Sequence, residues 1–454
     1  MESTARHTQA LLAEITARGL SHVKVGFFDL EGVLVGKYVS TEKFTLALSQ
    51  GLSFCDVVMG WDVNDALLDN IRLTGWASGY GDAQLTLLPA HYRVLPLEGD
   101  QLFVPGQLAG RLAGICPRNV LLRVLETATQ MGFNSRTGFE YEFLVLDEPH
   151  EALRAKQFTQ PKPLGEGAFG YSMLRTAMHH DFYEGLLALC AQMKMPIESI
   201  HEETGPGMME AALAVTETSL AADNAALFKT FSKAWAHQQG RMLSFMAKWH
   251  PDYSGQGGHL HISLQGLDGT SAFYDAAATN GISQTMRWFI GGLQQLSAEF
   301  MCLFAPNINS YRRLVPGYWA PTTALWGIDN RTVAIRAITG GPSSQRIEFR
   351  VPGADANPYL AVAGVLAAGL HGIRHQLEPD APISGNAYAV TVPEARVLPR
   401  TLWDAAQRLR GSEAAIEAFG ADFVDHFASM KEWEEREFQR HVSDWELARY
   451  FEII

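Results

Sequence analysis

The chain has 454 residues, of which 47% are hydrophobic and 19% are charged, and a formal net charge of −13. A chain of this length is expected to form several domains and to bury a large core. The acidic balance excludes a protein that binds nucleic acid through an extended basic face, although a few local arginines can still hold phosphate groups. We therefore expect a globular protein with no nucleic-acid partner.

The spacing of the cysteines is typical of a protein in a reducing compartment, and the hydropathy pattern bears on membrane contact. The four cysteines are far apart and form no CxxC pair, which argues against a zinc ribbon or a disulfide framework. The N-terminal segment has no basic stretch followed by a continuous apolar run, so no signal peptide is expected. The longest apolar stretch, near residues 359–370, is shorter than the roughly 20 residues that span a bilayer. We expect a cytoplasmic protein without membrane contact.

The first part of the chain is predicted to be a small α+β unit. Residues 10–18 have helical spacing, and the alternation across residues 23–27 is that of a strand. The turn at residues 29–32 is expected to return the chain into a second strand. Two pairs, Pro105–Gly106 and Cys116–Pro117, bracket a predicted domain boundary.

Beyond Pro117 the sequence alternates strands with long helices. A helix is expected to begin at this proline, because proline is favoured in the first turn. The segment 148–172, rich in proline and glycine, is predicted to be a surface loop. Apolar spacing predicts further helices over residues 181–194, 217–238, 281–304, 357–376 and in the charged tail 403–451.

Two short segments carry paired glutamates. In GFEYEFLVLD, Glu140 and Glu142 lie two apart in a strand and therefore share a face, where they repel each other unless a cation lies between them. In HEETGPGMMEAAL, Glu203 and Glu210 flank a Gly-Pro-Gly turn that a hairpin would close, while Glu202 is expected to face the other way. Taken singly, the first pair is better explained as a solvated strand face and the second as an ordinary hairpin.

Two later segments add histidines and arginines. In GQGGHLHISL, His259, His261 and Ser263 share one strand face, and the glycines allow the backbone to approach a ligand closely. A histidine pair at this spacing is more often a satisfied polar strand than a metal site. In QRIEFRVPG, Arg346, Glu348 and Arg350 form one row, which taken singly is better explained as a salt-bridge ladder.

Taken together, these segments point to metal-assisted chemistry on a polyphosphate. Hard divalent cations such as Mg²⁺ bind carboxylate oxygens with at most an occasional imidazole, and six such ligands are too many for one tetrahedral site. Further arginines at Arg331 and Arg336 suit an anionic substrate bridged by metals. The chain has no Walker A motif, and GEGAFG at 165–170 lies in a proline-rich loop rather than between a strand and a helix.

Five segments in this order resemble the glutamine synthetase superfamily. They are GFEYEF, EETGPGMME, GQGGHLHIS, NSYRRLVPGYWAP with the following NRTVAIR, and RIEFRVPGADANPYLAVAG. The resemblance implies an α+β protein with a small N-terminal β-grasp domain, residues 1–112. It also implies a large catalytic domain, residues 113–454, with a curved antiparallel sheet and flanking helices. Active sites would lie between subunits of a homo-oligomer of stacked hexameric rings, a hexamer or a dodecamer.

The same resemblance implies the reaction and a role for each motif residue. ATP would phosphorylate the γ-carboxylate of L-glutamate, and an amine would attack the acyl phosphate. Two or three Mg²⁺ or Mn²⁺ ions would bind to two sets of ligands, Glu142, Glu203 and Glu210 in one, and Glu140, His259 and Glu348 in the other. The residues implied to neutralise the transferred phosphoryl group are Arg331, Arg336 and Arg346. Those implied to hold glutamate are Arg313, Arg350, Ser254 and Gly255. Those implied to contact the nucleotide are His261, Ser263, Arg336 and Arg346.

The chain departs from the family where the amine would bind. Family members that use ammonium carry a glutamate in the flap, where this chain has Trp319. Cys55 falls where those members have an aspartate, with Asp56 beside it as an alternative, whereas a further acid is kept as Asp82. Met208 replaces a glutamine of the family motif. An indole offers one N–H donor and an apolar face, which can attract a cation by cation–π contact or pack against an alkyl or aryl group.

The sequence thus predicts an ATP-dependent glutamate–amine ligase that makes a γ-glutamylamide in amine catabolism. The sequence leaves the acceptor amine undetermined among an alkylamine, an aromatic amine, ethanolamine and a polyamine. Two alternatives are a glutamine synthetase that uses ammonium and a non-catalytic structural homologue.

Overall fold

Two β-sheets organise the chain. The structure, a computed structural model, describes residues 2–454. The helices are α1 (Glu2–Ala17), α2 (Thr41–Gln50), α3 (Pro117–Gln130), α4 (His150–Ala155), α5 (Met173–Met178), α6 (His180–Gln192), α7 (Thr218–Gln238), α8 (Gln284–Leu296), α9 (Met301–Phe304), α10 (Ser310–Arg313), α11 (Pro358–Arg374), α12 (Leu402–Gly411), α13 (Glu413–Phe419), α14 (Ala421–Phe438) and α15 (Asp444–Tyr450). The strands are β1 (His22–Phe28), β2 (Leu34–Ser40), β3 (Leu52–Cys55), β4 (Asp82–Leu87), β5 (Arg93–Leu95), β6 (Gln101–Ala109), β7 (Phe133–Leu146), β8 (Ile197–Glu202), β9 (Met208–Leu213), β10 (Thr216–Glu217), β11 (Met242–Ser244), β12 (Gly258–Gly266), β13 (Trp326–Ile328), β14 (Ile335–Ile338) and β15 (Arg346–Phe349).

The first sheet has six strands in the order β2-β1-β6-β4-β3, with β5 beside β6. The pair β1–β6 is parallel and the other pairs are antiparallel. The predicted N-terminal helix and hairpin are confirmed, and Leu11, Ile15 and Phe44 bury the apolar faces of α1 and α2 against this sheet. The small N-terminal unit therefore has the helix and the strand hairpin that the pattern of apolar residues predicts.

The two residue pairs that bracket the predicted domain boundary lie in different elements. Pro105–Gly106 lies inside β6, where the carbonyl of Pro105 accepts a hydrogen bond from the amide of Leu88. The chain leaves the first sheet after Ala109 through a short 3₁₀ segment and enters α3 at Pro117, as predicted. Leu112 in this segment is buried in the same core that underlies both sheets. The division at residue 112 stays a prediction.

The second sheet has nine strands and carries the site. Its order is β13-β14-β15-β12-β7-β9-β8, with β10 and β11 also beside β7. All of its pairs are antiparallel except β13–β14. Helices flank the sheet, so the α+β class predicted from the sequence is confirmed.

Helix α11 forms the centre of the helical layer and is buried along nearly its whole length. It packs closely on α8 because glycines meet at the crossing: a Cβ on Gly292 or Gly372 would collide with the backbone of the other helix. The predicted helix 281–304 is in fact two helices, because the chain bends between α8 and α9. The C-terminal segment predicted to be helical consists of four helices, α12 to α15. The segment 148–172, predicted to be a loop, contains the short helix α4. Among the residues described, no helix combines the length and hydropathy that a bilayer span requires.

Candidate active site

Strand register brings the predicted residues into one row on one face of the second sheet. Glu140 on β7 lies directly opposite His259 on β12, and Glu142 lies opposite Glu210 on β9. The register continues to the sheet edge, since Glu210 lies opposite His201 on β8. Because side chains alternate along a strand and align across it, residues far apart in sequence become lateral neighbours.

The row extends in the other direction across β12, β15 and β14. His261 lies opposite Glu348, which lies opposite Arg336. Glu348 is buried, and its two carboxylate oxygens accept hydrogen bonds from Arg336 and Arg350. The row therefore runs from carboxylates at its centre to arginines at one end.

Three groups of ligand atoms in this row converge closely enough to hold a metal ion. Within each group the atoms lie within 4.8 Å of one another. The groups are Glu140, Glu210 and His259; Glu140, His261 and Glu348; and His201, Glu203 and Glu210. The Nδ1 atom of His259 lies 3.3 Å from a Glu140 oxygen and 3.6 Å from a Glu348 oxygen.

The electrostatics of this cluster fit a bound cation. Burial raises the pKa of the Glu210 carboxyl far above its usual range, and the negative charges of Glu140 and Glu142 add to the rise. Burial alone would also raise the pKa of Glu140, but hydrogen bonds from His259 and His261 outweigh it and lower that pKa. A divalent cation between these oxygens would replace the proton that Glu210 otherwise retains. Carboxylates with an imidazole are the donor set that suits Mg²⁺ or Mn²⁺.

These residues border a cavity of about 270 Å³. The cavity is lined by thirteen of the residues that the sequence analysis singled out as candidate ligands or substrate contacts. They are Glu140, Glu142, Glu203, Glu210, Ser254, Gly255, His259, Arg313, Trp319, Arg331, Arg336, Glu348 and Arg350. Met208 lines it as well. Glu202 does not, and instead pairs with Arg175 at 2.7 Å, facing away as predicted.

The arginines around the cavity differ in how firmly they are held. Arg313 is buried and donates to the carbonyls of Val351 and Arg350. A Cβ on Gly255 would lie 2.6 Å from the Cγ atom of Arg313, so the glycine is needed for this packing. Arg331, by contrast, makes no hydrogen bond or ion pair within residues 2–454 and is exposed toward the cavity. Its guanidinium is free to bind an anionic ligand.

Loop residues line the cavity together with residues of the sheet. Trp319 has a φ of +60° and an exposed fraction of 56%, and its carbonyl accepts a hydrogen bond from Arg350. The neighbouring Tyr318 ring lies 4.4 Å from the Nζ atom of Lys248. Tyr388 donates to the carbonyl of Ala320 at 3.2 Å. The segment 316–320, which we term the flap, is thus fixed at three successive residues.

Six predicted residues do not line the cavity. His261 contacts Glu140, Arg346 contacts His261 at 3.2 Å, and Ser263 follows on the same strand face. Cys55 and Asp82 lie opposite each other on β3 and β4, and both are exposed.

Asp56 is placed differently from its predicted contact with substrate. It is fully buried and accepts hydrogen bonds from Thr74 and Arg111. Its carboxylate is therefore engaged inside the N-terminal unit.

Sequence reasoning missed four residues of the site, Tyr171, Thr204, Tyr318 and His201. The first three line the cavity. The ring of Tyr171 stacks on His201 at 4.1 Å, and His201 in turn contacts Glu203 at 3.1 Å. Tyr171 directly follows the GEGAFG segment, and its only signal in the sequence was an aromatic residue in a glycine-rich loop.

The row of carboxylates, imidazoles and arginines defines a class of protein that binds divalent cations beside a polyanion. A comparison with protein families makes the assignment specific: residues 114–450 match the model of the glutamine synthetase catalytic domain. The chain belongs to the glutamine synthetase family and is an ATP-dependent carbon–nitrogen ligase.

Individual relatives are similar over most of the chain. It is 41% identical to type-1 glutamine synthetase 2 of Dictyostelium discoideum over 450 residues, 98% of this chain and 86% of that protein. It is 36% identical to the glutamate–isopropylamine ligase of a Pseudomonas species, with 97% of each chain covered. It is also 36% identical to a gamma-glutamylethanolamide synthetase of Streptomyces coelicolor, covering 98% of this chain and 95% of that protein. The solved structure of apo GmaS without ligand matches with a TM-score of 0.84 and 25% identity, over 97% of this chain and 99% of that one.

Proposed function

We propose that this protein joins the γ-carboxylate of L-glutamate to an organic amine, at the expense of ATP, to give a γ-glutamylamide. The observation that carries the proposal is the composition of the loop wall. Tyr171, Tyr318 and Trp319 form this wall, and Met208 of β9 also lines the cavity. None of these four side chains is a carboxylate, whereas Glu203, which also lies in a loop, belongs to a candidate metal-ligand group. An aromatic face attracts a cation but supplies no anionic or oxygen ligand for ammonium, whereas aromatic faces and a thioether also pack against an alkyl or aryl group.

The side of the cavity formed by the second sheet, which we term the sheet wall, supports the first half of the reaction, the phosphorylation of glutamate. Mg²⁺ or Mn²⁺ would be held by Glu142, Glu203 and Glu210 and by Glu140, His259 and Glu348, and would reduce the repulsion between phosphoryl group and carboxylate. Arg331, Arg336 and Arg346 would take up charge on the transferred phosphoryl group. Arg313, Arg350, Ser254 and Gly255 would hold glutamate, and His261 and Ser263 would lie along the nucleotide.

The second half of the reaction depends on excluding water. An acyl phosphate hydrolyses when water reaches it before the amine does. The flap, with Tyr318 and Trp319, lies where it would cover the cavity, and the aromatic side chains would pack on the amine substituent. Relatives whose names specify isopropylamine and ethanolamine support an amine as acceptor.

The proposal includes a homo-oligomer with sites shared between subunits. Cys55 and Asp82 are exposed on the N-terminal sheet and do not line the cavity of their own chain. In a ring of copies they would reach the cavity of a neighbour, at the amine end. Because Asp56 is engaged by Arg111, Cys55 rather than Asp56 is the residue we place there. A cytoplasmic location stays a prediction.

Steady-state kinetics on an amine panel test the proposal. ADP release is measured with L-glutamate and, in turn, ammonium, isopropylamine, ethanolamine, putrescine and aniline. We expect kcat/KM for at least one organic amine to exceed that for ammonium by about tenfold or more, the discrimination that an apolar group in a fitted pocket provides. The highest kcat/KM on ammonium would instead establish the second candidate, a glutamine synthetase, which the similarity to the Dictyostelium protein favours.

A further inference from the structure

A histidine at one end of the carboxylate row has no role in the reaction proposed above. His201 lies on β8 directly opposite Glu210 on β9. Its Nε2 atom lies 3.1 Å from a Glu203 oxygen and 3.6 Å from a Glu210 oxygen. The ligand atoms of these three residues form one of the groups that converge within 4.8 Å. The imidazole is therefore placed as a third donor beside two carboxylates.

A hydrogen bond alone does not satisfy this group. The Nε2 atom of His201 carries at most one proton, which can serve Glu203 or Glu210 but not both. Glu140 and Glu142 add their negative charge close to Glu210, so the charge of the cluster is negative. A cation would contact both carboxylates and the imidazole at once. Two neighbouring ligands that each lie about 2.1 Å from an octahedral cation are about 3 Å apart, which agrees with the observed separation.

Glu142, the third carboxylate of the proposed ligand set, is held elsewhere in this structure. One of its oxygens accepts a hydrogen bond from the amide of Gly257, and its own amide donates to the Gly257 carbonyl at 2.9 Å. It belongs to none of the three converging groups found in the described part of the chain. His201 thus lies where the pair Glu203 and Glu210 lacks a third ligand.

Tyr171 fixes the orientation of the His201 ring. The two ring centroids lie 4.1 Å apart, with 13° between the ring planes. A ligating imidazole is usually oriented by a hydrogen bond at its other nitrogen, but within residues 2–454 the Nδ1 atom of His201 has no such partner. The loop that carries Tyr171 is tied to β8, because its amide donates to the Glu202 carbonyl at 2.9 Å and Arg175 pairs with the Glu202 carboxylate at 2.7 Å.

We propose that His201 is a ligand of the divalent cation held by Glu203 and Glu210, and that Tyr171 is a positioning residue for its ring. The inference rests on the metal-assisted reaction of the proposed function. Mg²⁺ prefers oxygen ligands, whereas an imidazole suits first-row transition ions. A donor set of one nitrogen and two carboxylates therefore favours Mn²⁺ over Mg²⁺ at this position.

Calorimetric titration with Mn²⁺ and with Mg²⁺, in the absence of nucleotide, measures the contribution of each side chain. At one class of site, His201→Gln is expected to weaken Mn²⁺ binding by about 100-fold and Tyr171→Leu by about tenfold, the range that the loss of support for a metal ligand costs. The effect on Mg²⁺ should be smaller. Tyr171→Phe keeps the ring face and should retain the wild-type Kd. His237→Gln, an exposed histidine of α7 outside the cavity, is the matched control.

Pulsed electron paramagnetic resonance of bound Mn²⁺ identifies the ligand itself. In the variant His259→Gln/His261→Gln, His201 is the histidine that remains in the three converging groups. We expect the spectrum of this variant to show a directly coordinated imidazole nitrogen, and the signal to disappear when His201→Gln is added. Bound Mn²⁺ without the nitrogen signal, or a signal that persists after His201→Gln, would overturn the proposal.

The calorimetric result decides even if the double variant fails to fold or to bind Mn²⁺. An unchanged Kd for Mn²⁺ at every class of site in His201→Gln would overturn the assignment of the ligand. Equal Kd values in Tyr171→Leu and wild type would overturn the positioning role of Tyr171. Neither result bears on the acceptor, since a preference for ammonium or for an organic amine is measured by ADP release with the amine panel. Wild-type protein that binds no divalent cation would contradict both this proposal and the proposed function.

Discussion

The two walls of the active-site cavity are built in different ways. The sheet wall places its carboxylates and imidazoles on paired strands, where register fixes each side chain against its neighbour. The loop wall carries Tyr171 and Trp319, both non-glycine residues with a φ of +60°. Each left-handed residue costs about 1–2 kcal/mol, and such strain is found where a loop has a functional task. Under the proposed function, the reaction class would depend on paired strands, whereas the choice of amine would depend on strained loops.

The largest effect is expected from removing a carboxylate of the sheet wall. Glu348→Ala leaves Arg336 and Arg350 without their buried partner and removes a metal ligand of the proposed site. We expect kcat to fall by about 1000-fold or more, since metal and charge stabilisation contribute several kcal/mol to such reactions. Metal-dependent ADP release measures the effect.

A buried glutamate outside the cavity serves as the control for this variant. Glu202→Gln changes a buried glutamate that faces Arg175 rather than the cavity, and it should keep kcat within about threefold of wild type. Substantial turnover in Glu348→Ala, with the thermal transition unchanged, would show that the sheet wall does not set the reaction.

The free arginine of the cavity should have the next largest effect. Arg331→Met is expected to lower kcat by about 100-fold, the cost of removing one charge-stabilising donor. Because Arg331 forms no hydrogen bond or ion pair in the described chain, its loss should leave the thermal transition nearly unchanged. Arg312→Met, an exposed arginine of α10 outside the cavity, is the matched control. Equal activity of the two variants would remove Arg331 from the phosphoryl site.

Trp319→Glu tests the loop wall directly. A glutamate in the flap supplies the carboxylate that ammonium requires, at the same left-handed backbone position. We expect the ratio of kcat/KM for ammonium to that for the organic amine to rise by about tenfold or more. Trp403→Glu, an exposed tryptophan on α12, should leave the ratio unchanged. An unchanged ratio in Trp319→Glu would mean that Trp319 only packs.

The smallest effect is expected at Lys248, which supports the flap without lining the cavity. Lys248→Met removes the cation above the Tyr318 ring, an interaction of about 0.5–2 kcal/mol. We expect KM for the amine to rise by about fivefold with kcat nearly constant, because the flap loosens while the sheet wall is intact. Lys248→Arg keeps the cation and should restore KM. A fall in kcat alone would place Lys248 in the chemistry instead.

Much of the sheet wall was predictable, because strand alternation alone places Glu140 with Glu142 and His259 with His261 on shared faces. The pairing of these strands and the roles of their residues came from the resemblance to a family rather than from periodicity. The bend between α8 and α9 was missed, since an apolar stretch continues across it.

The loop wall was largely beyond sequence reasoning. The stacking of Tyr171 on His201 depends on how a glycine-rich loop folds back over β8, which no periodic pattern encodes. The burial of Asp56 depends on Arg111, which is 55 residues away. Both are long-range contacts of irregular segments, and local propensity carries no information about them.

A competition experiment shows whether the protein prefers an organic amine or ammonium as the acceptor. The protein is given L-glutamate, ATP and Mg²⁺ with equal concentrations of ammonium, isopropylamine, ethanolamine, putrescine and aniline, and the products are identified by mass spectrometry. If the loop wall selects an organic amine, a γ-glutamylamide should exceed glutamine in the wild-type protein, and Trp319→Glu should shift the products toward glutamine. Glutamine as the main product of the wild-type protein, with the same ratio in the variant, would contradict the account.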